Sequence, residues 1–157
     1  MKAIAVFEKK VGSKVHGTVT FHENTQKNEI EIHVDIHGLK KSGIHGFHVH
    51  EYGDLSEGCE SMCMHFNPYH KHHGGIDSKD RHVGDLGNLY ADIQGNATYM
   101  FTDNVIKLHG IKSNIIGRGL IIHADPDDCG KGTNAASLIN GNAGKRIACS
   151  VIGYARP

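Results

Sequence analysis

Histidine is concentrated in one stretch of this chain. Eight of its fourteen histidines lie between positions 45 and 82, in a segment that is also rich in glycine and aspartate. Another histidine, His123, ends an apolar run far downstream. Neutral imidazoles and carboxylates are common protein ligands for zinc and copper. The number and type of these side chains therefore predict metal binding, and their spacing predicts two adjacent sites.

The candidate ligands divide into a closed set and an open set. Zinc favours four protein ligands in a tetrahedral structural site. One segment can supply them: His65, His73, His82 and Asp85. Copper is well served by several imidazoles and cycles between two oxidation states. Three other histidines can hold such an ion: His48, His50 and His123. Because an imidazole ring has two nitrogens, His65 could bridge the two ions as an imidazolate.

Several histidines have simpler interpretations. A histidine outside the main stretch is typical of a solvated surface side chain. We predict that role for five of them: His16, His22, His33, His37 and His109. Within the stretch, His70 and His72 compete with His73 as zinc ligands, and the spacing to the Gly74–Gly75 pair favours His73.

β-Strands must position these ligands. Apolar and polar residues alternate through much of the chain, which is the two-residue period of half-buried strands. Residues two apart on a strand face the same way. A strand over 43–50 therefore places His48 and His50 together on its outer face, and a strand over 119–123 places His123 outward as well. The other predicted strands cover 3–7, 15–22, 30–36, 83–89, 97–101, 105–109 and 146–154, with the second and third of these joined as a hairpin.

About eight short strands, no convincing helix and two long loops predict an all-β fold. The predicted architecture is an eight-stranded, antiparallel Greek-key β-sandwich or flattened barrel, immunoglobulin-like in its layers. A metal loop covers about 51–82 and a second active-site loop about 124–145, in which 134–139 could form a single helical turn. We predict one domain over residues 1–157, because this length suits one core and the chain contains neither an internal repeat nor a linker.

Charge and composition argue against several classes of partner. Seventeen basic residues balance seventeen acidic ones, and no basic stripe is present, so we expect neither nucleic acid nor membrane as a partner. The apolar run near the amino terminus is too short for a secretory signal, and nothing approaches the length of a transmembrane segment. These features predict a cytoplasmic location.

Five motifs in combination resemble the eukaryotic-type copper/zinc superoxide dismutases. They are GFHVHEYGD (46–54), HFNP (65–68), KHHGG (71–75), RHVGDLGN (81–88) and GNAGKRIAC (141–149). The likeness extends from about Ala3 to Ala155. It implies an oxidoreductase that converts two superoxide anions to dioxygen and hydrogen peroxide by cycling Cu(II) and Cu(I). It also implies one copper and one zinc ion per subunit, a homodimer and a copper-delivery protein as a partner.

The resemblance assigns the metal ligands residue by residue. The implied copper ligands are His48, His50, His65 and His123. The implied zinc ligands are His65, His73, His82 and Asp85, with His65 as the bridging imidazolate. Asp127 matches a carboxylate that links a zinc histidine to a copper histidine, and its neighbour Asp128 is a competitor for that role.

The resemblance also implies roles for an arginine and two cysteines. Arg146 matches an arginine that guides the anion to copper, and together with His65 it is implied in catalysis. Cys59 and Cys149 match an intrasubunit disulfide, whereas Cys63 and Cys129 have no counterpart in the family. The surfaces that pair subunits correspond to positions 4, 6, 52–53, 116–117 and 151–154.

Two other functions stay open on the sequence. The first is a non-catalytic copper/zinc-binding or copper-delivery module with the same fold. Modules of that kind typically lack copper ligands or the arginine, and both are present here. The second is a structural sandwich that binds only zinc, which leaves the outward pair His48 and His50 and the distant His123 unexplained. The sequence therefore favours the enzyme.

Overall fold

Nine β-strands form two antiparallel sheets in the computed structural model, which describes residues 1–10 and 12–157. The strands are β1 (Lys2–Phe7), β2 (His16–Asn24), β3 (Glu29–His37), β4 (Ile44–His50), β5 (Asp85–Tyr90), β6 (Ala97–Asp103), β7 (Gly119–His123), β8 (Arg146–Val151) and β9 (Gly153–Tyr154). A short 3-10 turn, Glu60–Met62, lies in the first long loop. The helical turn α1 (Ser137–Asn140) lies in the second.

The first sheet has five strands in the order β6-β3-β2-β1-β9. In its hairpin β2–β3, apolar residues alternate with polar ones, and the apolar face is buried, including Val19, Phe21 and Ile32. The polar residues between them form the outer face of this sheet, as the two-residue period requires. The buried face packs on the core that the second sheet completes.

The second sheet has four strands in the order β5-β4-β7-β8. Its central strands β4 and β7 are buried on both faces, apart from Ile44 at the start of β4. Phe47 and Leu120 point into the core, while the opposite face is covered by the two long loops. One of these loops joins the sheet directly, because the amide of Phe66 donates to the carbonyl of Val49.

The chain crosses between the sheets three times before β8. It leaves the first sheet after β3, forms β4 and β5, returns for β6, and crosses again to form β7 and β8. This produces the Greek-key order predicted from the sequence. The two sheets stay separate, so the molecule is a sandwich rather than a closed barrel, and the all-β prediction is confirmed.

Two strand predictions were wrong in detail. Residues 105–109 form no strand, because the Asp103 carboxylate accepts the amides of Val105 and Ile106 and turns the chain at the end of β6. The alternating apolar residues of this segment, Ile106 and Leu108, are instead fully buried without belonging to a strand. The last predicted strand, 146–154, is divided into β8 and β9, which belong to different sheets. Within the described residues, no helix has the length and apolar character needed to cross a membrane.

Candidate metal centre

Strands β4 and β7 place three histidines on the outer face of the four-stranded sheet. Their antiparallel register sets His48 opposite Ile121 and His50 opposite Gly119. A bulge in the pairing of β7 with β8, after Ile122, brings His123 opposite Arg146. Bulges of this kind re-aim side chains beside functional sites.

A glycine makes room for this group of rings. A Cβ atom added at Gly46 would lie 2.6 Å from the Cβ of Ala143 and 3.2 Å from Cε1 of His48. Any larger residue would therefore push the second loop away from β4 or displace the imidazole of His48. Gly46 thus lets the second loop close over the histidines.

Four buried histidines form what we call the open cluster: His48, His50, His65 and His123. One nitrogen of each ring lies within 4.8 Å of the corresponding nitrogens of the other three. Four atoms, Nδ1 of His48 and Nε2 of the other three rings, are buried and have no hydrogen-bond partner among the residues that the structure describes. Buried polar atoms without partners are rare and costly, and an ion coordinated by these nitrogens removes that cost.

The opposite nitrogen of each ring is held by an oxygen. Nε2 of His48 lies 2.7 Å from Oδ2 of Asp127, and Nδ1 of His50 lies 2.8 Å from the carbonyl of Cys63. Nδ1 of His123 lies 3.0 Å from the carbonyl of Gly144. These contacts fix each ring so that its free nitrogen points into the cluster.

Burial keeps the open cluster neutral. It lowers the pKa of His48 to about 3 and that of His123 to about 4, and it lowers the pKa values of His50 and His65 as well. The rings are therefore deprotonated at neutral pH in the metal-free chain. This is the form that binds a metal ion.

A second group, which we call the closed cluster, comprises His65, His73, His82 and Asp85. Oδ1 of Asp85 lies 2.9, 3.0 and 3.1 Å from the Nδ1 atoms of His65, His73 and His82. Tetrahedral ligands at about 2.0–2.1 Å from zinc are about 3.3 Å apart, so these separations suit one zinc ion. Nδ1 of His73 is unpartnered despite its short distance to Asp85, which fits two ligands of a common ion better than a hydrogen bond.

The closed cluster is built around negative charge. Burial alone would raise the pKa of Asp85, but the three histidines around it lower that pKa well below its usual range. Oδ2 of the same carboxylate accepts the backbone amides of His82 and Gly74 at 2.8 and 3.1 Å, which fixes its orientation. Burial would lower the pKa of His73, yet Asp127 and Asp85 raise it to about 9. Two carboxylates thus prepare this cluster for a cation.

His65 belongs to both clusters. Its Nδ1 faces Asp85 in the closed cluster, while its Nε2 is one of the four unpartnered nitrogens of the open cluster. Its backbone forms an isolated bridge with His50 at the end of β4, which holds the ring between the two groups. The two nitrogens of one ring can therefore serve two ions.

Asp127 ties the two clusters together a second time. Its Oδ2 accepts a hydrogen bond from Nε2 of His48, and its Oδ1 accepts one from Nε2 of His73, both at 2.7 Å. Asn88 on β5 clamps the Asp127 backbone through two hydrogen bonds. Oδ1 of Asn88 accepts a hydrogen bond from the Asp127 amide at 2.7 Å, and Nδ2 of Asn88 donates to the Asp127 carbonyl at 3.0 Å. A third histidine and aspartate grouping, of these same three side chains, is therefore a hydrogen-bonded link rather than a further metal site.

Comparisons with known proteins decide the family. A family model described as copper/zinc superoxide dismutase matches residues 15–152 of this chain. The chain belongs to the copper/zinc superoxide dismutase family. A Cu-Zn superoxide dismutase of Paramecium bursaria Chlorella virus 1 is 59% identical over 156 residues, which covers 99% of this chain and 80% of that relative. One from Schizosaccharomyces pombe is 49% identical over 155 residues and covers 99% of both chains.

A solved structure agrees with these relatives. The crystal structure of the clock protein EA4 matches with a TM-score of 0.91 and 43% identity, over 98% of this chain and 94% of that one. These likenesses confirm the resemblance, the fold class and the class of enzyme predicted from the sequence. As a family member, the chain is an oxidoreductase whose cofactors are copper and zinc.

Arg146 lies at the mouth of the open cluster. It lines a cavity of about 100 Å³ together with His50, His65 and His123. Its guanidinium donates to the carbonyls of Cys59, at 2.7 Å, and Cys63. These contacts leave the positive charge beside the histidines, where a small anion entering the cavity would meet it.

A disulfide joins Cys59 to Cys149, as the resemblance implied. It closes a separation of 90 residues and ties the first long loop to β8. The loop supplies the carbonyl acceptors of Arg146, and β8 carries Arg146 itself. The same bond therefore fixes the arginine relative to the open cluster. Cys63 is exposed and Cys129 half-buried, and both are free thiols.

Removing the disulfide should destabilise the fold strongly. For Cys149→Ser we expect the free energy of unfolding to fall by about 4–5 kcal/mol, because a cross-link of this span restricts the unfolded chain. Urea unfolding of the metal-free protein measures this without a contribution from bound ions. Cys63→Ser is the matched control and should change stability by less than about 0.5 kcal/mol. Equal losses in the two variants would contradict the assignment.

Four residues that position the site carry no clear signal in the sequence. Asn88 clamps Asp127. Gly141 lets two parts of the second loop lie close together, since a Cβ there would collide with Oδ1 of Asp127. Arg81 and Asp103 form a buried ion pair at 2.7 Å that ties the metal loop to the end of β6. Arg81, Asn88 and Gly141 lie within the motifs that carry the resemblance, but their residue types alone do not predict these supporting contacts.

The residues that compete with the predicted ligands in the sequence belong to neither cluster in the structure. His70 and His72 are exposed, and His72 contacts Asp80 rather than either cluster. Asp128 accepts hydrogen bonds from Ser137 and Asn142 within the second loop. His45, which received no role from the sequence, is buried with its Nδ1 2.8 Å from the carbonyl of His123. It supports the backbone of a predicted ligand without joining the cluster.

Proposed function

We propose that this chain converts two superoxide anions and two protons to dioxygen and hydrogen peroxide. Copper would be held by the open cluster, and zinc by the closed cluster. The observation that carries this assignment is the convergence of four unpartnered, buried nitrogens beside Arg146. Copper bound by the open cluster would supply the one-electron chemistry of both half-reactions, while zinc in the closed cluster would keep one oxidation state.

His65 is proposed to carry a proton between the two half-reactions. Its Nδ1 stays beside Asp85 Oδ1, at 2.9 Å, so the ring keeps its orientation. When its Nε2 is not coordinated to copper, it would take up a proton that water supplies after the first anion has reacted, and it would donate that proton to the second anion. Water supplies the other proton of hydrogen peroxide. Burial of the ring limits exchange of this proton with bulk water.

Arg146 is proposed to bind the substrate anion. A guanidinium is permanently charged and presents several donors, and the backbone carbonyls at its sides hold it at the edge of the cavity. A cavity of about 100 Å³ has room for a diatomic anion and a few waters. Its charge and size therefore suit superoxide.

Neutralising Arg146 should slow the reaction without removing the metals. For Arg146→Gln we expect kcat/KM to fall about tenfold or more, since a charge beside the cavity raises the rate at which the anion arrives. Superoxide consumption and metal content are measured on the same preparation. Arg146→Lys should recover part of the rate, and Lys145→Gln, a neighbouring exposed lysine, should change it far less. Unchanged kcat/KM in Arg146→Gln would remove the proposed role.

A non-catalytic copper/zinc-binding or copper-delivery module is the second candidate, and it is not favoured. All four histidines of the open cluster and Arg146 are present, and the relatives are named as superoxide dismutases. The test is the activity of the purified, metal-loaded chain. We expect superoxide consumption that rises with copper content, whereas a chain that binds both metals without consuming superoxide would be a binding module.

The proposed unit is a homodimer of single-domain chains. The exposed apolar side chains Val6, Tyr52, Leu55 and Tyr154 favour a second copy of this chain, which would remove them from water. They fall at or next to the positions where the family pairs its subunits. Sedimentation at micromolar concentration should give the dimer mass, and a monomer would reject this proposal.

Copper delivery and location complete the proposal. The ligands of the open cluster are buried, which favours a copper-delivery protein, and full activation of the metal-free chain by copper alone would show that none is needed. Two unbridged thiols, Cys63 and Cys129, favour a reducing compartment such as the cytoplasm, although the Cys59–Cys149 disulfide is unusual there and must withstand reduction. Fractionation of cells that produce the chain tests this, and recovery outside the cytoplasm would contradict it.

A further inference from the structure

A second group of histidines lies on the other side of the sandwich. His16, His22, His33 and His37 occupy the outer face of the hairpin β2–β3, in the five-stranded sheet. The apolar core separates this face from the two metal clusters, which lie on the outer face of the four-stranded sheet. The sequence predicts all four to be solvated side chains, yet they form two close pairs.

The spacing of one pair matches that of two ligands on one ion. The ring centroids of His22 and His33 are 4.9 Å apart and the rings are tilted by 48°. Two imidazoles with nitrogens at about 2.0–2.1 Å from a shared ion have centroids about 4.5–5 Å apart. Within the open cluster, the centroid separations range from 4.1 to 6.4 Å, and two of the pairs, His50–His65 and His48–His123, are at 4.9 Å.

Two further donors flank this pair. Glu31 lies directly opposite His22; its Oε1 is held by Asn24 at 2.9 Å, and its Oε2 is 3.9 Å from Nε2 of His33. Met100 on β6 lies directly opposite His33 and is 51% exposed. Directly opposed Cβ atoms are about 4.5–5.5 Å apart, which puts the thioether beside His33. The ligand atoms of His22, His33 and Glu31 do not all lie within 4.8 Å of one another, so these side chains must turn toward a shared ion to bind it.

The charge of the pair is compatible with a cation. Burial, and then the neighbouring His33 and Lys2, lower the pKa of His22, so its imidazole is neutral at neutral pH. Among the described residues, His22 makes no hydrogen bond that a metal would have to break. Lys2 lies opposite His22 on β1, and the carboxylate of Glu31 offsets its charge.

The other pair has similar placement, but both nitrogens of His37 are already hydrogen-bonded. His16 and His37 are directly opposite each other, with centroids 5.5 Å apart. Nδ1 of His16 lies 2.9 Å from the carbonyl of Lys14, and His37 is held through both nitrogens, by Asn96 at 2.9 Å and Asp35 at 2.8 Å. This pair is therefore a matched control on the same sheet.

We propose that His22 and His33, flanked by Glu31 and Met100, form a third, solvent-exposed copper site on the outer face of the five-stranded sheet. Copper is the metal that imidazoles bind most strongly in the divalent first-row series. A carboxylate suits Cu(II) and a thioether suits Cu(I), so this donor set accepts either oxidation state. The proposal does not depend on the catalytic function of the open cluster.

Metal analysis of the loaded protein tests the proposal. The chain with copper and zinc already bound is dialysed against excess Cu(II), and its copper and zinc contents are measured. We expect one additional copper per chain with zinc retained. His22→Gln and His33→Gln should weaken this additional binding by about tenfold or more, while His37→Gln should leave it unchanged. Absence of the additional copper, its persistence in either pair variant, or its loss in His37→Gln would overturn the site.

Two measurements on the unaltered protein avoid any effect of substitution on folding. Paramagnetic Cu(II) should broaden the ring signals of His22 and His33 at lower copper concentrations than those of His16 and His37, and equal broadening of all four would overturn the assignment. Zinc titrated in the same way should bind more weakly than copper, and tighter zinc binding would overturn the choice of metal. Met100→Leu should lower Cu(I) affinity more than Cu(II) affinity, and equal effects would remove Met100 from the site.

Discussion

His123→Ala should lower copper binding and superoxide consumption at least about tenfold while zinc stays bound. His123 contributes one of the four nitrogens of the open cluster and none to the closed cluster. Loss of a ligand should lower copper content by at least about tenfold, and without copper the chain has no group that exchanges single electrons with superoxide. Metal analysis and activity measured on one preparation give both results.

A distant histidine provides the control for this experiment. His109→Ala removes an exposed imidazole that contacts Glu23, far from both clusters in the fold, and should change neither metal content nor activity. If His123→Ala lost zinc and copper in equal measure, the two clusters would not be separate sites. If it kept its copper, the open cluster would be wrongly assigned.

Asp127→Ala should weaken the binding of both metals, in contrast to His123→Ala. Its carboxylate accepts one ring nitrogen from each cluster, His48 in the open one and His73 in the closed one. Without it, two buried N–H groups lose their acceptors and both rings can turn. We expect the affinities for copper and zinc each to fall by about 10- to 100-fold, measured by competition with chelators.

The neighbouring aspartate separates this effect from a general loss of negative charge. Asp128→Ala removes hydrogen bonds from Ser137 and Asn142 within the second loop but leaves both rings supported, so it should change either affinity far less. A loss confined to one metal in Asp127→Ala would show that the carboxylate supports one cluster rather than linking two.

Much of the scaffold follows from the two-residue period of the sequence. The alternation of Phe47 and Val49 with His48 and His50 predicts both a strand and its outward pair, because the inward residues must leave water. The same reasoning fails at Ile106 and Leu108. Those residues alternate in sequence and are buried, but the Asp103 carboxylate turns the backbone away from the sheet. Burial can be predicted there, whereas strand pairing cannot.

The contents of the clusters are predictable, but their supports are not. Imidazoles and a carboxylate at ligand spacing restrict the chemistry to metal binding whatever the loop conformation. The clamp from Asn88 to Asp127 and the close approach at Gly141 depend on how the second loop folds against β5 and on itself. His22 and His33 show the same limit, because they are 11 positions apart in the sequence and become neighbours only through the register of the hairpin.

The central claim is that one imidazole, that of His65, serves two different ions. A crystal structure of the metal-loaded protein, with anomalous diffraction recorded at the copper and zinc absorption edges, tests it most directly. We expect zinc at about 2.0–2.1 Å from Nδ1 of His65, and copper on the Nε2 side of the same ring among His48, His50 and His123. A ring turned away from both ions, or copper located outside those three histidines, would contradict it.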